Sequence, residues 1–290
     1  MIQLHRLEGF YWVARTEGYA RAARAFPYPI TQPGVHQQVK KLESDVGVAL
    51  FERVGKDKVV LTPAGRQLYS FVAPFLEQLP AIAASLRSGH LAGRLRIHAA
   101  GHFLRNLLPP WLRRLQARHP EVELSLGELQ TADLSLLRSG ETDLVVDSFP
   151  VVPDDVAVRA VGKVFAFIAL PSNHALAKSA SVSLHELKDT PFIAYNSDRA
   201  LRELQLKALE QHGIAPKISA SADSSDTILG FVAAGLGFSL VPSLSDKGPR
   251  VPGVVAHRLT RPAAEFPVYA AWRKSAKGNP LIEAALELAP

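Results

Sequence analysis

The stretch FPYPITQPG, residues 26–34, sets three prolines and a glycine between two strongly helical patterns. Proline lacks an amide donor and pushes the preceding residue out of helical geometry, so one helix must stop before this stretch and another must start within it. On the N-terminal side Leu7, Phe10, Val13 and Ala14 recur at three- and four-residue spacing, which predicts a first helix running out at Thr16-Glu17-Gly18. A second helix follows from Tyr19, with Ala22, Ala23 and Phe26 on its inner face, and ends near Phe26. Thr31 is placed to accept from the orphan amides of a third helix, and Pro33 falls in its first turn, where a missing N–H costs nothing.

On a wheel of about 100° per residue, Val35, Val39 and Leu42 share one narrow arc of this third helix. Pro33, His36, Gln37, Lys40 and Lys41 cover the opposite side, with Gln32 near its edge. One face packs and the other offers hydrogen bonds: glutamine pairs in bidentate fashion with adenine in the major groove, and lysine or histidine reaches guanine acceptors or phosphates. Gly34 leaves the approach to a groove unobstructed. Two short helices joined by a turn, the second polar outside, make a helix-turn-helix. Arg53, Lys56 and Lys58 then surround a turn between the apolar runs 49–51 and 59–61, which predicts a basic β-wing against the phosphate backbone. Thr62-Pro63 caps a further helix. Residues 1–66 hold ten basic and six acidic side chains, so they carry most of the chain's net charge of +6.

At these residues the sequence resembles the LysR-type transcriptional regulators. RAA at 21–23, TQPGVHQQVKKLE at 31–43, GVALFER at 47–53 and LTPAG at 61–65 stand in the family's order and nearly its spacing. Two departures are present: the loop between Phe26 and Thr31 is about two residues longer than usual, and Tyr19 alone stands where the family has a Ser-Phe pair. The resemblance implies a winged helix-turn-helix domain over 1–63, contacting double-stranded DNA through Thr31, Gln32, Pro33, Gly34, His36, Gln37, Lys40, Arg53, Lys56 and Lys58. It also implies a dimerisation helix over 64–90, which the broad apolar stripe through Phe71, Phe75, Leu79 and Leu86 supports, with a kink expected at Pro74 and Pro80. SGHLAG at 88–93 reads as a hinge.

From 91 to 290 the pattern alternates between strands and helices, βαβαβ and then a second set, predicting parallel sheets covered by helices. The segment 103–119 reads as one helix. The family resemblance extends to GETDLVV at 140–146 and FVAAGLGFSLVP at 231–242. It implies an α/β effector domain of two Rossmann-like lobes, like those of periplasmic binding proteins, about 91–162 plus 265–290 and about 163–264, with an effector between them. Ligands in such folds bind beyond the carboxyl ends of strands. Those points here are Gly101, His102 and Phe103, then Thr131, Ser148 and Phe149, then Tyr195, Asn196 and Ser197, and finally Asp223 and Ser224. A small organic acid is the expected effector, because helix N-termini offer amide donors there. Gly101 and His102 stand where the family usually has serine or threonine.

The chain contains no cysteine, no membrane-length apolar run and no signal-peptide pattern at its start, so a cytoplasmic home without a membrane partner is expected. AAGLGF at 233–238 lacks the third glycine of a dinucleotide loop, and the histidines at 98, 102, 119 and 174 lack metal-ligand spacing. No Ser-His-Asp order appears either, so neither catalysis nor any metal or cofactor is expected. The leading expectation is a homodimeric or homotetrameric regulator. The alternative is a cytoplasmic solute-binding protein with a helical N-terminal extension, which leaves the shared face of Gln32, His36, Gln37, Lys40 and Lys41 unexplained.

Overall fold

The computed structural model describes residues 2–54, 57–88, 90–196, 200–261 and 265–290. Contacts divide the chain into two compact units, residues 1–95 with 121–123 and 134–143, and residues 96–120 with 124–133 and 144–290. In the first unit α1 (Leu4–Thr16), α2 (Tyr19–Ala25) and α3 (Gln32–Val46) precede a two-stranded ribbon of β1 (Phe51–Arg53) and β2 (Val59–Leu61), and α4 (Pro63–Ser88) follows. Helix α2 ends where the prolines require, with the Phe26 amide donating to the Ala22 carbonyl. The ribbon pairs Phe51 with Leu61 and Arg53 with Val59, so its first strand starts two residues later than the apolar run suggested. Ala49 instead spends its carbonyl on the Thr62 hydroxyl at 2.8 Å, which anchors the start of α4.

Two apolar clusters hold this unit together. Phe10, Tyr11, Leu42 and Leu50 pack against Val72 and Ala73 of α4, while Val13, Ala22, Phe26, Val35, Val39 and Val59 join the three short helices to the wing. Full burial of side chains of this size contributes about 1.5–3 kcal/mol each. Helix α4 runs on through Pro74 and Pro80, both inside it. The short helix α7 (Ser135–Ser139) ends at Gly140, whose φ of +76° suits glycine and whose Cα faces Pro74 and the Ser70 carbonyl too closely for a Cβ.

The second unit is built on β3 (Gly93–Ala100), α5 (Gly101–Asn106), α6 (Leu108–Arg118), β4 (Val122–Leu129), β5 (Leu144–Asp147), β6 (Val156–Pro171), β7 (Phe192–Tyr195), α8 (Ala200–Glu210), β8 (Ile218–Ala222), α9 (Ser225–Ala233), β9 (Ser239–Ser243), β10 (Val254–Arg258), β11 (Glu265–Arg273) and α10 (Pro280–Glu287). The segment expected as one helix over 103–119 is two: Leu107 separates α5 from α6, and Pro109-Pro110 fit the first turn of a new helix better than the interior of an old one. The sheet that contains β6 is mixed. β3 runs parallel to β5 and β7 to β8, but the long β6 is antiparallel to β9, β10 and β11. Apolar alternation records which face of a strand is buried, not the direction of its neighbour.

Alternation along β6 sends Ile168 and Leu170 to one core with Phe192, Leu209 and Phe238, and Phe167 and Ala169 to another with Ile193, Tyr195 and Ile228. At the other end, fully buried Trp111 on α6 donates its indole N–H to the Ala285 carbonyl of α10 at 2.7 Å. Among the described residues no helix is long and apolar enough to cross a membrane.

Candidate functional site

Helix α3 starts as its sequence requires. Thr31 is extended (φ −91°, ψ 155°) and its hydroxyl accepts from the Gly34 amide at 3.3 Å. Val35, Val39 and Leu42 are fully buried, and Thr31, Gln32, Pro33, His36, Gln37, Lys40 and Lys41 are exposed. Gly34 is half-buried against its own cap. The His36 ring lies 4.9 Å from that of Tyr19, so the aromatic residue at the start of α2 also shapes the exposed face.

Two of the basic side chains have carboxylate partners. Lys40 Nζ is 2.7 Å from Glu43 Oε2, and Lys58 Nζ is 2.8 Å from Glu17 Oε2. Glu43 is 8 % exposed, and its other oxygen accepts from the amides of Leu50 at 2.9 Å and Phe51 at 3.3 Å. Burial alone would raise its pKa, but Lys40 and the two amides outweigh that and hold it below the usual glutamate value. This carboxylate therefore joins α3 to the start of the β1–β2 ribbon. Glu17 has φ +53°, and the Arg21 guanidinium caps the end of α1 by donating to the carbonyls of Thr16 and Glu17. Arg53 is exposed on β1. Lys56 lies outside the described residues.

The longer loop before α3 is tied back to α1. Tyr28 donates to Glu8 Oε2 at 2.7 Å, and its ring meets that of Phe26 edge-on at 5.2 Å. Burial and the Glu8 carboxylate push the phenol up to about 12. Nothing in the spacing of Tyr28 and Glu8 marks this pair in the sequence.

In the second unit Gly101 is buried at the junction of β3 and α5, where a Cβ would overlap the Glu128 carboxylate. His102 is half-buried and meets Phe103 edge-on at 5.7 Å; Phe103 itself is core, 6 % exposed. Thr131 is exposed, and Ser148 and Phe149 are half-buried. The Ser148 hydroxyl donates to the Pro267 carbonyl at 2.8 Å, and its amide donates to Asp147, whose carboxyl burial raises to about 6.

Tyr195, expected near a ligand, is 1 % exposed, and its hydroxyl is 2.6 Å from that of Ser225 within the core. Asn196 donates to Asp223 at 2.6 Å, while Ser224 caps α9 by accepting from the Thr227 amide at 3.2 Å. Ser197 lies outside the described residues. Two side chains that sequence reasoning passed over meet here: Arg105 Nε on α5 and Asp226 Oδ2 in the first turn of α9, 2.5 Å apart. Helical spacing puts Arg105 on the face of His102, but its partner comes from a distant part of the chain. Among the described residues no group of three or more His, Asp or Glu side chains could hold a metal ion.

Two family models match the chain in succession. Residues 4–66 match the family model described as bacterial regulatory helix-turn-helix protein, lysR family, and residues 88–289 match the LysR substrate binding domain. The chain is 31 % identical over 303 residues to the HTH-type transcriptional regulator TtuA of Agrobacterium vitis, covering 99 % of this chain and 96 % of that one. It is 27 % identical over 288 residues to the uncharacterized HTH-type transcriptional regulator YybE of Bacillus subtilis (strain 168), covering 97 % and 96 %. Among solved structures, a full-length OxyR variant from Pseudomonas aeruginosa superposes with a TM-score of 0.72 at 26 % identity, over 100 % of this chain and 98 % of that one.

Proposed function

The chain belongs to the LysR family of bacterial transcriptional regulators, and from that premise we propose how its own residues do the work. Residues 1–63 bind promoter DNA, 64–90 pair two subunits, and 91–290 bind a small-molecule effector between lobes spanning about 91–162 with 265–290 and about 163–264. The observation that carries the DNA assignment is α3: a capped helix with buried Val35, Val39 and Leu42 on one side and exposed Gln32, His36 and Gln37 on the other. These three reach base edges, Thr31, Pro33 and Gly34 set the helix start against the backbone, and Lys40, Arg53, Lys56 and Lys58 take phosphates. Lys58 exchanges Glu17 for phosphate readily, because both side chains of that pair are about half exposed and solvent screens their attraction.

The outer stripe of α4 supports pairing with a second copy. Phe71, Phe75, Ile82 and Leu86, spaced by four, seven and four residues, are 60 %, 49 %, 40 % and 81 % exposed in the single chain. Two subunits then present two recognition helices to two half-sites. The effector acts by biasing the geometry of the lobes, a coupling free energy between separate sites. It is a small organic acid, and the protein works in the cytoplasm without a catalytic step. Fluorescence anisotropy tests the reading: a fragment selected by the protein from a genomic DNA library should bind more tightly than a shuffled fragment, with log K falling linearly in log salt. Equal affinity for both fragments at every salt concentration would overturn it.

A further inference from the structure

Two donors stand on one face of α5, His102 and Arg105, three residues apart. The state of the histidine follows from its neighbour. Asn106 Nδ2 lies 2.9 Å from the His102 carbonyl oxygen and 3.3 Å from its Nδ1. A backbone carbonyl only accepts, so that end of the amide is the NH2 group, and its second hydrogen makes Nδ1 an acceptor. The proton of the neutral ring is therefore on Nε2. That atom is buried and has no hydrogen-bond partner among the described residues. Burial lowers the pKa of His102, with the Asp226 and Arg105 charges acting in opposite senses, so the neutral form prevails near neutral pH. The result is a buried N–H donor without an acceptor, an arrangement that proteins rarely leave unfilled.

Arg105 is held by Asp226 across the two lobes, Nε to Oδ2 at 2.5 Å, with the two side chains 44 % and 53 % exposed. An exposed pair of this kind is favoured by about fivefold at most, so another carboxylate can replace it. A guanidinium also accepts a free carboxylate through two parallel N–H bonds. Glu128 bears on the same place: its carboxylate and Arg105 Nη1 both crowd the point where a Cβ on Gly101 would sit. With Glu128 already near, a further anion is accommodated by exchange with Asp226, because a third carboxylate around one guanidinium leaves uncompensated negative charge. Several other polar side chains expected to face a ligand are matched internally: Tyr195 with Ser225, Asn196 with Asp223, Ser224 with Thr227, and Ser148 with the Pro267 carbonyl.

We propose that Arg105 and His102 receive the carboxylate of the effector, and that Asp226 occupies that place until the effector displaces it. This rests on reading 91–290 as the effector domain. It makes Arg105 the residue that selects an anionic ligand, and the exchange releases α9 from α5, so binding and lobe geometry change together.

The test uses the full-length chain and calorimetric titration with phenylacetate, phenylacetamide and phenethylamine. Phenylacetate is expected to bind the wild type, to bind Asp226→Asn up to about fivefold more tightly, and to bind Arg105→Gln at least about tenfold more weakly. Arg105→Lys keeps the charge but loses the fork, so it falls between; it answers the question if Arg105→Gln fails to fold. The amide and the amine give no heat. The inference is overturned by unchanged phenylacetate binding in either the Arg105 or the Asp226 variants, by tighter binding of phenethylamine than of phenylacetate, or by no phenylacetate binding in Asp226→Asn. Anisotropy on DNA is measured separately. The expected order of affinities with no effect on DNA binding would support the Arg105 assignment and refute the coupling of the two domains.

Discussion

Replacing Glu43 distinguishes a buried acceptor from a charge. In Glu43→Ala the Leu50 amide loses a 2.9 Å partner in a buried site, and the Phe51 amide loses a longer one of 3.3 Å. An unsatisfied buried donor costs about 1–3 kcal/mol, and the second bond, being longer and only part-buried, adds less, so a loss of about 2–4 kcal/mol is expected. Glu43→Gln keeps an oxygen for the amides but gives up the charge that strengthens those bonds and holds Lys40, a loss of about 1 kcal/mol.

The two variants also differ from the wild type in acid. The pKa of Glu43 is lower in the folded protein than its ordinary value of 4.5, so below that value the unfolded chain binds more protons than the folded one. Its contribution is therefore present above about pH 4.5 and is lost as the pH falls through the folded pKa. Glu43→Gln lacks this acid-dependent part. Urea denaturation followed by circular dichroism, at neutral pH and below the glutamate range, gives the energies, and hydrogen exchange at Leu50 and Phe51 gives the local effect. The reasoning fails if Glu43→Ala costs no more than Glu43→Gln, or if exchange at the wing amides is unchanged in Glu43→Ala.

Other outcomes follow from the same structure. Gln37→Ala is expected to relax sequence preference by about 1–3 kcal/mol while sparing binding to random DNA, and Lys58→Ala to weaken all sequences alike and reduce the salt slope; anisotropy on matched fragments separates them. Phe71→Glu with Phe75→Glu should dissociate the oligomer in sedimentation without loss of helical circular dichroism, because both rings are largely exposed in the single chain. Unfolding of this double variant would place those rings in a core instead. Trp111→Ala, which empties a fully buried site and strands the Ala285 carbonyl, should cost about 3–5 kcal/mol in thermal or urea unfolding. Tyr28→Phe removes only an exposed bond to Glu8, and a loss of about 1 kcal/mol or less is expected.

The helices of the N-terminal unit were legible because their causes are local. Proline at 27, 29 and 33 stops one helix and permits the next, Thr31 caps it, and a 3.6-residue period sorts Val35, Val39 and Leu42 from Gln32, His36 and Gln37. Each of these acts within about one turn of chain, so the sequence alone determined α1 to α3 and the exposed face of α3. What it left open depends on partners far away in sequence. Burial patterns do not encode strand direction, so the antiparallel neighbours of β6 emerged only with the fold, as did the break at Leu107. The same holds for side chains: Tyr195 and Ser224 occupy the expected strand and helix ends, but the tertiary structure turns one into core and the other into a cap. Glu43 reads as one more charge on α3 until the wing amides arrive over it, and Arg105 as a solvated base until α9 brings Asp226 to it. Local periodicity decides which face of an element is buried, and only the assembled chain decides which charges meet, because a contact between remote residues leaves no spacing in the sequence to read.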